Sequence, residues 1–282
     1  MQTYRNNRSD FVYAKSVTRI LRVLLLPYLL GFVFLPVLPA YAIINGDPVD
    51  AKAYTSYVSI RGISPFPSQK GKEVNSCGGV LVASHWVLTA AHCRPVYEDL
   101  DSREDPVVVG VHIQENGAFA GRLRVVDYFF APALLGSERV DAALLKLDGD
   151  ATQFGATVAT VLEEHLVEGL PTITVGLGLG ITGTPLMSYA SLVTAFSYCD
   201  KPAVDFDPDH DFCVGVPGAS QRTGYGDSGG PVYLKADDSN QPILLGVVKG
   251  GVKTGVGNQE SEYIRYTNSY VLLDWIKRYV SK

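Results

Sequence analysis

From residue 53 onward the chain alternates short apolar runs with clusters of Gly, Pro, Asn and Asp. Examples are Tyr57-Val58-Ser59-Ile60, Val107-Val108-Val109-Gly110-Val111, Leu123-Arg124-Val125-Val126 and Ile173-Thr174-Val175. Short runs bounded by turn formers predict β-strands, and their number and spacing predict barrels or a sandwich. One segment breaks the pattern. Val271, Leu272, Trp275, Ile276, Tyr279 and Val280 recur at spacings of one, three and four, which places them on one face of a C-terminal helix. No internal repeat is visible. The polar, glycine-containing stretch Asp148-Gly149-Asp150 is a candidate boundary between two halves.

The first 42 residues follow a different rule. Residues 1–22 are polar and basic, residues 23–38 are strongly apolar, and Ala40-Tyr41-Ala42 puts small residues at the two positions signal peptidase reads. This predicts a secretory signal peptide over 1–42 with a long basic front. A retained membrane anchor is the alternative, because the apolar stretch 23–42 approaches the length of a spanning helix. Pro27, Pro36 and Pro39 would interrupt that helix, and the Ala-x-Ala end favours cleavage.

Composition sharpens the picture. The chain has 282 residues, 46% hydrophobic and 19% charged, enough for one large or two small globular units. Four cysteines behind an apolar N-terminus predict an exported protein with a few disulfides. Five basic residues against Asp10 give the leader +4, so the remainder carries −9 of the overall −5. An acidic surface argues against a nucleic-acid partner.

Candidate chemistry sits in three segments. Gly226-Asp227-Ser228-Gly229-Gly230-Pro231 holds a serine in a turn that is half glycine, the residue favoured where backbone approaches a ligand closely. Taken alone it is equally an ordinary Gly/Ser turn. Thr89-Ala90-Ala91-His92-Cys93 follows one apolar run, and Asp141 opens another, Ala142-Ala143-Leu144-Leu145-Lys146-Leu147. A serine hydroxyl needs such a base beside it to become a nucleophile. The remaining histidines, His85, His112, His165 and His210, lack metal-ligand spacing and read as surface or packing residues. The acidic run Asp205, Asp207, Asp209 and Asp211 reads as a solvated loop in preference to a calcium site.

TAAHC, DAALLKL and GDSGGP, in that order, resemble the three signature segments of chymotrypsin/trypsin-type serine proteases, and the similarity covers residues 43 to about 280. The resemblance implies an all-β fold of two packed six-stranded antiparallel barrels with a C-terminal helix. The barrels would span about 43–150 and 151–268, and the helix about 269–281, together a peptidase domain over 43–282. It implies a secreted (extracellular or periplasmic) serine endopeptidase. Ser228 would be the nucleophile, His92 the base and Asp141 its orienter, with the N–H groups of Gly226 and Ser228 holding the oxyanion. Ile43-Ile44-Asn45-Gly46 resembles the family's mature N-terminus, whose freed amine pairs with the aspartate before the nucleophile, here Asp227. Among the three pairings open to four cysteines, it selects Cys77 with Cys93 and Cys199 with Cys213. It implies no metal or organic cofactor, protein or peptide substrates, no membrane association after signal cleavage, and a monomer. A non-catalytic binding protein on the same scaffold is the alternative.

The chain departs from the family around the specificity pocket, which involves Arg222, Lys249, Gly251 and Ser261. Arg222 stands where trypsins carry an acid, which implies either a pocket for acidic side chains or a rearranged loop. Gly224 replaces a cysteine, so the pocket-edge disulfide is missing. Lys249-Gly250-Gly251 replaces Ser-Trp-Gly, putting a lysine where a serine supports the aspartate. Glu260 and Glu262 near the far wall leave a basic preference as the minority reading.

Overall fold

The computed structural model describes residues 42–64, 67–98, 107–133, 140–202, 204–235, 242–254 and 261–281. The signal-peptide or anchor segment lies outside them, apart from Ala42. After a two-residue strand, β1 (Asp47–Pro48), six strands form a closed barrel. They are β2 (Tyr57–Ile63), β3 (Glu73–Ala83), β4 (Trp86–Thr89), β5 (Val108–Ile113), β6 (Phe119–Phe130) and β7 (Ala143–Leu147). Their order around the barrel is β2-β3-β4-β7-β6-β5.

A short strand, β8 (Thr160–Val161), leads into the second set: β9 (Pro171–Gly176), β10 (Met187–Thr194), β11 (Asp211–Val214), β12 (Pro231–Leu234), β13 (Ile243–Thr254) and β14 (Ser261–Asn268). These run β10-β11-β14-β13-β12-β9, and pairing of β9 with β10 closes the second six-stranded ring. All pairings within the two rings are antiparallel. The expected two-barrel fold is the observed one.

Why the apolar runs are continuous and not alternating follows from where each face goes. Successive side chains in a strand point to opposite faces. In β2, β3, β4 and β7, Val58, Leu81, Val87 and Leu145 fill the first barrel. Their neighbours Tyr57, Val80, Leu88 and Leu144 join Val175, Tyr233, Leu244 and Val247 in a core between the barrels. Both faces are therefore buried. Truncating one of these leucines to alanine would cost about 2–5 kcal/mol.

The connector between barrels is stitched to both, with the Ala159 N–H donating to Leu81 O at 2.8 Å and the Leu162 N–H to Leu244 O at 2.9 Å. The C-terminal helix, α1 (Leu273–Val280), is shorter than the sequence predicts. Ser269 is fully buried, and its N–H and hydroxyl donate to Leu245 O and Leu244 O, so residues 269–272 form a turn instead. From α1, Tyr279 packs back on Phe129 and Trp86 of the first barrel at 4.6 and 6.0 Å between ring centres.

Candidate active site

Strands β4 and β7 pair with Thr89 opposite Ala143. His92 lies three residues beyond one end of that register and Asp141 two residues before it, so both emerge at the same rim. The turn carrying His92 is fixed by three groups. Thr89 Oγ1 donates to Gly78 O at 2.8 Å, Tyr97 donates its hydroxyl proton to Ala90 O at 3.1 Å, and Cys93 is bonded to Cys77. From the second barrel, Thr267 Oγ1 donates to the Asp141 carbonyl at 3.1 Å.

The two side chains meet in a two-point contact. His92 Nδ1 lies 2.7 Å from Asp141 Oδ2, and the His92 backbone N–H donates to Asp141 Oδ1 at 2.8 Å. Asp141 has 11% of its side chain exposed and His92 42%. Burial alone would push the Asp141 carboxyl upward. The bond and charge of His92, its backbone N–H and the charge of Lys249 outweigh burial and hold Asp141 below the ordinary carboxylate value. Beside the pair opens a cleft of about 630 Å³, walled by Ala91, Pro95, Phe130, Val140 and Asp205.

Ser228 reaches this rim from the second barrel. The Gly78 N–H donates to Ser228 O at 2.8 Å, and a Cβ on Gly78 would fall 2.7 Å from Gly230 Cα. Backbone from the two barrels therefore touches next to the Cys77–Cys93 bridge, an approach only glycine permits. Gly226 and Gly229 hold φ of +90° and +72°, the left-handed region. Neither the Gly226 nor the Ser228 N–H has an acceptor among the described residues. No hydrogen bond joins the Ser228 hydroxyl to His92 among the described residues either, and such bonds commonly tighten only when substrate binds.

Behind the turn, Asp227 is fully buried. Its Oδ1 accepts from the Gly178 N–H and its Oδ2 from the Gly224 N–H, each at 2.8 Å, and the Ile43 N–H adds a third donor. Ile43 is itself fully buried, and Ile44 exchanges both backbone hydrogen bonds with Arg222. With Ala42 attached, the Ile43 nitrogen is a neutral peptide donor. Burial outweighs the three N–H groups and pushes Asp227 up to about 6.

The pocket residues do not gather around one charge. Arg222 Nε lies 2.8 Å from Glu262 Oε2, and the Glu262 carboxylate fills the space a side chain at Gly251 would need. Lys249 turns to Asp211 at 2.7 Å and Asp205 at 3.2 Å. Lys249 and Asp211 are buried, with 6% and 1% of their side chains exposed. The run ending at Asp211 is therefore not simply a solvated loop. Its last member enters β11 and pairs with a lysine from β13. Glu260 and the side chain of Ser261 lie outside the described residues. The second bridge, Cys199–Cys213, ties the acidic segment to β11.

A family model described as Trypsin matches residues 43–276. The chain belongs to the trypsin family. Over 250 residues it is 30% identical to Serine protease 41 of Homo sapiens, with 79% of this chain and 74% of that protein covered. Identity is 27% over 246 residues to Clotting factor C of Tachypleus tridentatus, covering 78% of this chain and 24% of that protein. It is 27% over 229 residues to Mannan-binding lectin serine protease 1 of Rattus norvegicus, covering 72% and 31% respectively. The chain thus spans about a quarter of the clotting factor's length. Its scaffold is that of a serine protease, a family whose substrates are proteins. Among the described residues no helix is long and apolar enough to cross a membrane.

Proposed function

We propose that this trypsin-family chain is an exported serine endopeptidase that works through Ser228, His92 and Asp141. The observation that carries the reading is the two-point grip of Asp141 on His92, at 2.7 and 2.8 Å, on the rim that also receives the GDSGGP turn. Asp141 keeps the proton on Nδ1, which leaves Nε2 to take the proton of Ser228 as its oxygen attacks the peptide carbonyl. His92 then delivers that proton to the leaving amine, and water resolves the acyl-enzyme by the same route. The Gly226 and Ser228 N–H groups, without acceptors among the described residues, bind the oxyanion. One such donor is worth about 100- to 1,000-fold in rate. Lys249, which stands where the family's serine supports the aspartate, is engaged by Asp211 and Asp205 and leaves the Asp141 side chain to His92.

Export itself produces the active form. Signal peptidase cleavage after Ala42 would free the Ile43 amine where the Ile43 nitrogen already meets Asp227. N-terminal sequencing of the secreted, active protein is expected to start at Ile43. Another start in an active preparation would refute this step.

Specificity follows from the Arg222–Glu262 pair. Each charge answers the other, so the enzyme prefers small uncharged residues before the scissile bond. A fluorophosphonate probe is expected to label the mature protein at Ser228 and not to label Ser228→Ala. Peptidase activity surviving in Ser228→Ala would overturn the mechanism. Efficient hydrolysis of an arginyl amide would overturn the specificity assignment alone.

A further inference from the structure

We propose that Asn75 is a positioning residue for the oxyanion-binding turn, an inference that rests on the reading of Gly226 as an oxyanion donor. Asn75 lies in β3 of the first barrel and is fully buried. Its Nδ2 donates to Gly226 O at 2.7 Å and to Gly178 O at 2.6 Å. Both acceptors belong to the second barrel, 151 and 103 residues along the chain. Its Oδ1 accepts from Ser59 Oγ at 2.8 Å, and its backbone N–H donates to Gly180 O at 2.8 Å. Behind Ser59 stands Arg61, also buried, whose Nη1 donates to Ser59 Oγ and to Gly180 O, each at 3.1 Å.

This network admits one orientation of the amide. Turning it over would set Oδ1 against two carbonyl oxygens and NH₂ against a hydroxyl already donated to. The order of the network runs from an ion pair at the barrel edge, where Arg61 Nε meets Glu73 Oε1 at 3.0 Å, to the turn before the nucleophile.

What Asn75 fixes is a peptide that glycine leaves loose. Gly226 sits at φ +90°, and a glycine there can rotate its flanking peptides with little steric cost. A Cβ at Gly226 would collide with Gly178 O, so the turn lies directly on the second carbonyl that Asn75 holds. Gly178 is held at both ends, its carbonyl by Asn75 and its N–H by Asp227 Oδ1. With Gly226 O pinned by Asn75 and the Asp227 N–H bonded to Gly224 O at 3.2 Å, the Gly226–Asp227 peptide has one orientation. The preceding peptide, which carries the Gly226 N–H, is joined to that fixed peptide through a Gly226 φ of +90°. Asn75 touches no substrate; it acts through Gly226.

The experiment compares mature protein starting at Ile43 with Asn75→Ala, Asn75→Asp and Ser59→Ala. For each, kcat and KM are measured on a peptide amide the parent cleaves, with fluorophosphonate labelling rate, binding of a peptide aldehyde that forms a tetrahedral adduct, and binding of a non-covalent product peptide. Loss of one oriented donor predicts a fall in kcat of about 100-fold for Asn75→Ala and Asn75→Asp, with KM within about twofold. Aldehyde affinity should fall in parallel while product binding holds. Ser59→Ala, which leaves Asn75 Oδ1 without its donor and the amide less firmly held, should fall by about tenfold, and it keeps the test alive if the Asn75 variants do not fold. Unchanged kcat in the folded variants, or equal losses in aldehyde and product binding, would overturn the proposal. A parent that the fluorophosphonate does not label would instead overturn the peptidase reading, and this inference with it.

Discussion

Asp141 at the rim of the cleft and Asp227 behind the GDSGGP turn are both little-exposed carboxylates, and their surroundings drive them in opposite directions. Asp141 keeps 11% of its side chain exposed and faces the imidazole of His92 and the charge of Lys249; it is held below the ordinary carboxylate range. Asp227 is fully enclosed and among the described residues has only neutral N–H donors, from Gly224, Gly178 and Ile43; it rises to about 6. Three well-placed dipoles do not replace one charge in a fully buried site. With residue 42 attached, the first carboxylate already faces an imidazole and a lysine charge, whereas the second would meet a cation only through the proposed Ile43 amine.

Removing the charge from Asp141 gives the largest expected effect. Asp141→Asn keeps the shape but favours the wrong imidazole tautomer, and turnover is expected to fall by about 10,000-fold. Stopped assays on the purified variant check this, with circular dichroism to show an unchanged fold. A loss below tenfold would mean that Asp141 is a structural partner of His92 and no more.

Denying Asp227 its cation comes next. A single Met added before Ile43 moves the amine away from the carboxylate, and losing one member of a buried pair costs about 3–5 kcal/mol. Activity is expected to fall at least 100-fold, while the His92–Asp141 contact stays intact. Equal activity with and without the added residue would remove the contrast between the two carboxylates.

The smallest effect is in pH. In the chain that keeps residue 42, the folded state holds the Asp227 proton to about 6, against 3.8 for the unperturbed group. Its stabilisation is full below the unfolded value and is lost as pH rises through the folded one. The window is therefore roughly pH 4 to 6, and the loss is about 3 kcal/mol at about 1.4 kcal/mol per unit. In protein starting at Ile43 the proposed ammonium pair would offset that loss. Melting temperatures of the two forms, compared at several pH values, should diverge as pH climbs from 4 to 7. Parallel curves would show that the amine does not reach Asp227.

Much of this arrangement is readable in the sequence, because local rules govern it. Short apolar runs between turn formers mark the barrels, and cysteine separations of 16 and 14 accompany the two bridges. His92 and Asp141 can be anticipated from motifs at the ends of strands that turn out to be neighbours. Other features depend on pairing between distant segments. Asp211 looks solvated beside Asp205, Asp207 and Asp209, yet the β11–β14 pairing buries it and β13 brings Lys249 to meet it. Arg222 invites an acidic substrate until Glu262, 40 positions on, occupies it. Asn75 leaves a trace: a polar amide beside Val74, Cys77 and Gly78, in a strand that is mostly buried, must find partners somewhere. Its partners are carbonyls more than a hundred residues away, which no window of local sequence contains.

Both covalent cross-links are domestic. Cys77–Cys93 begins and ends in the first barrel, Cys199–Cys213 in the second, and no free cysteine remains to bridge them. A single backbone nick near Asp148-Gly149-Asp150 would therefore leave two polypeptides joined by packing and hydrogen bonds alone. Such a clipped molecule would migrate as one particle in native buffer and as two fragments in detergent, with or without reductant. Its halves would be held together by the Tyr57, Leu88, Tyr233 and Val247 layer that also carries the cleft.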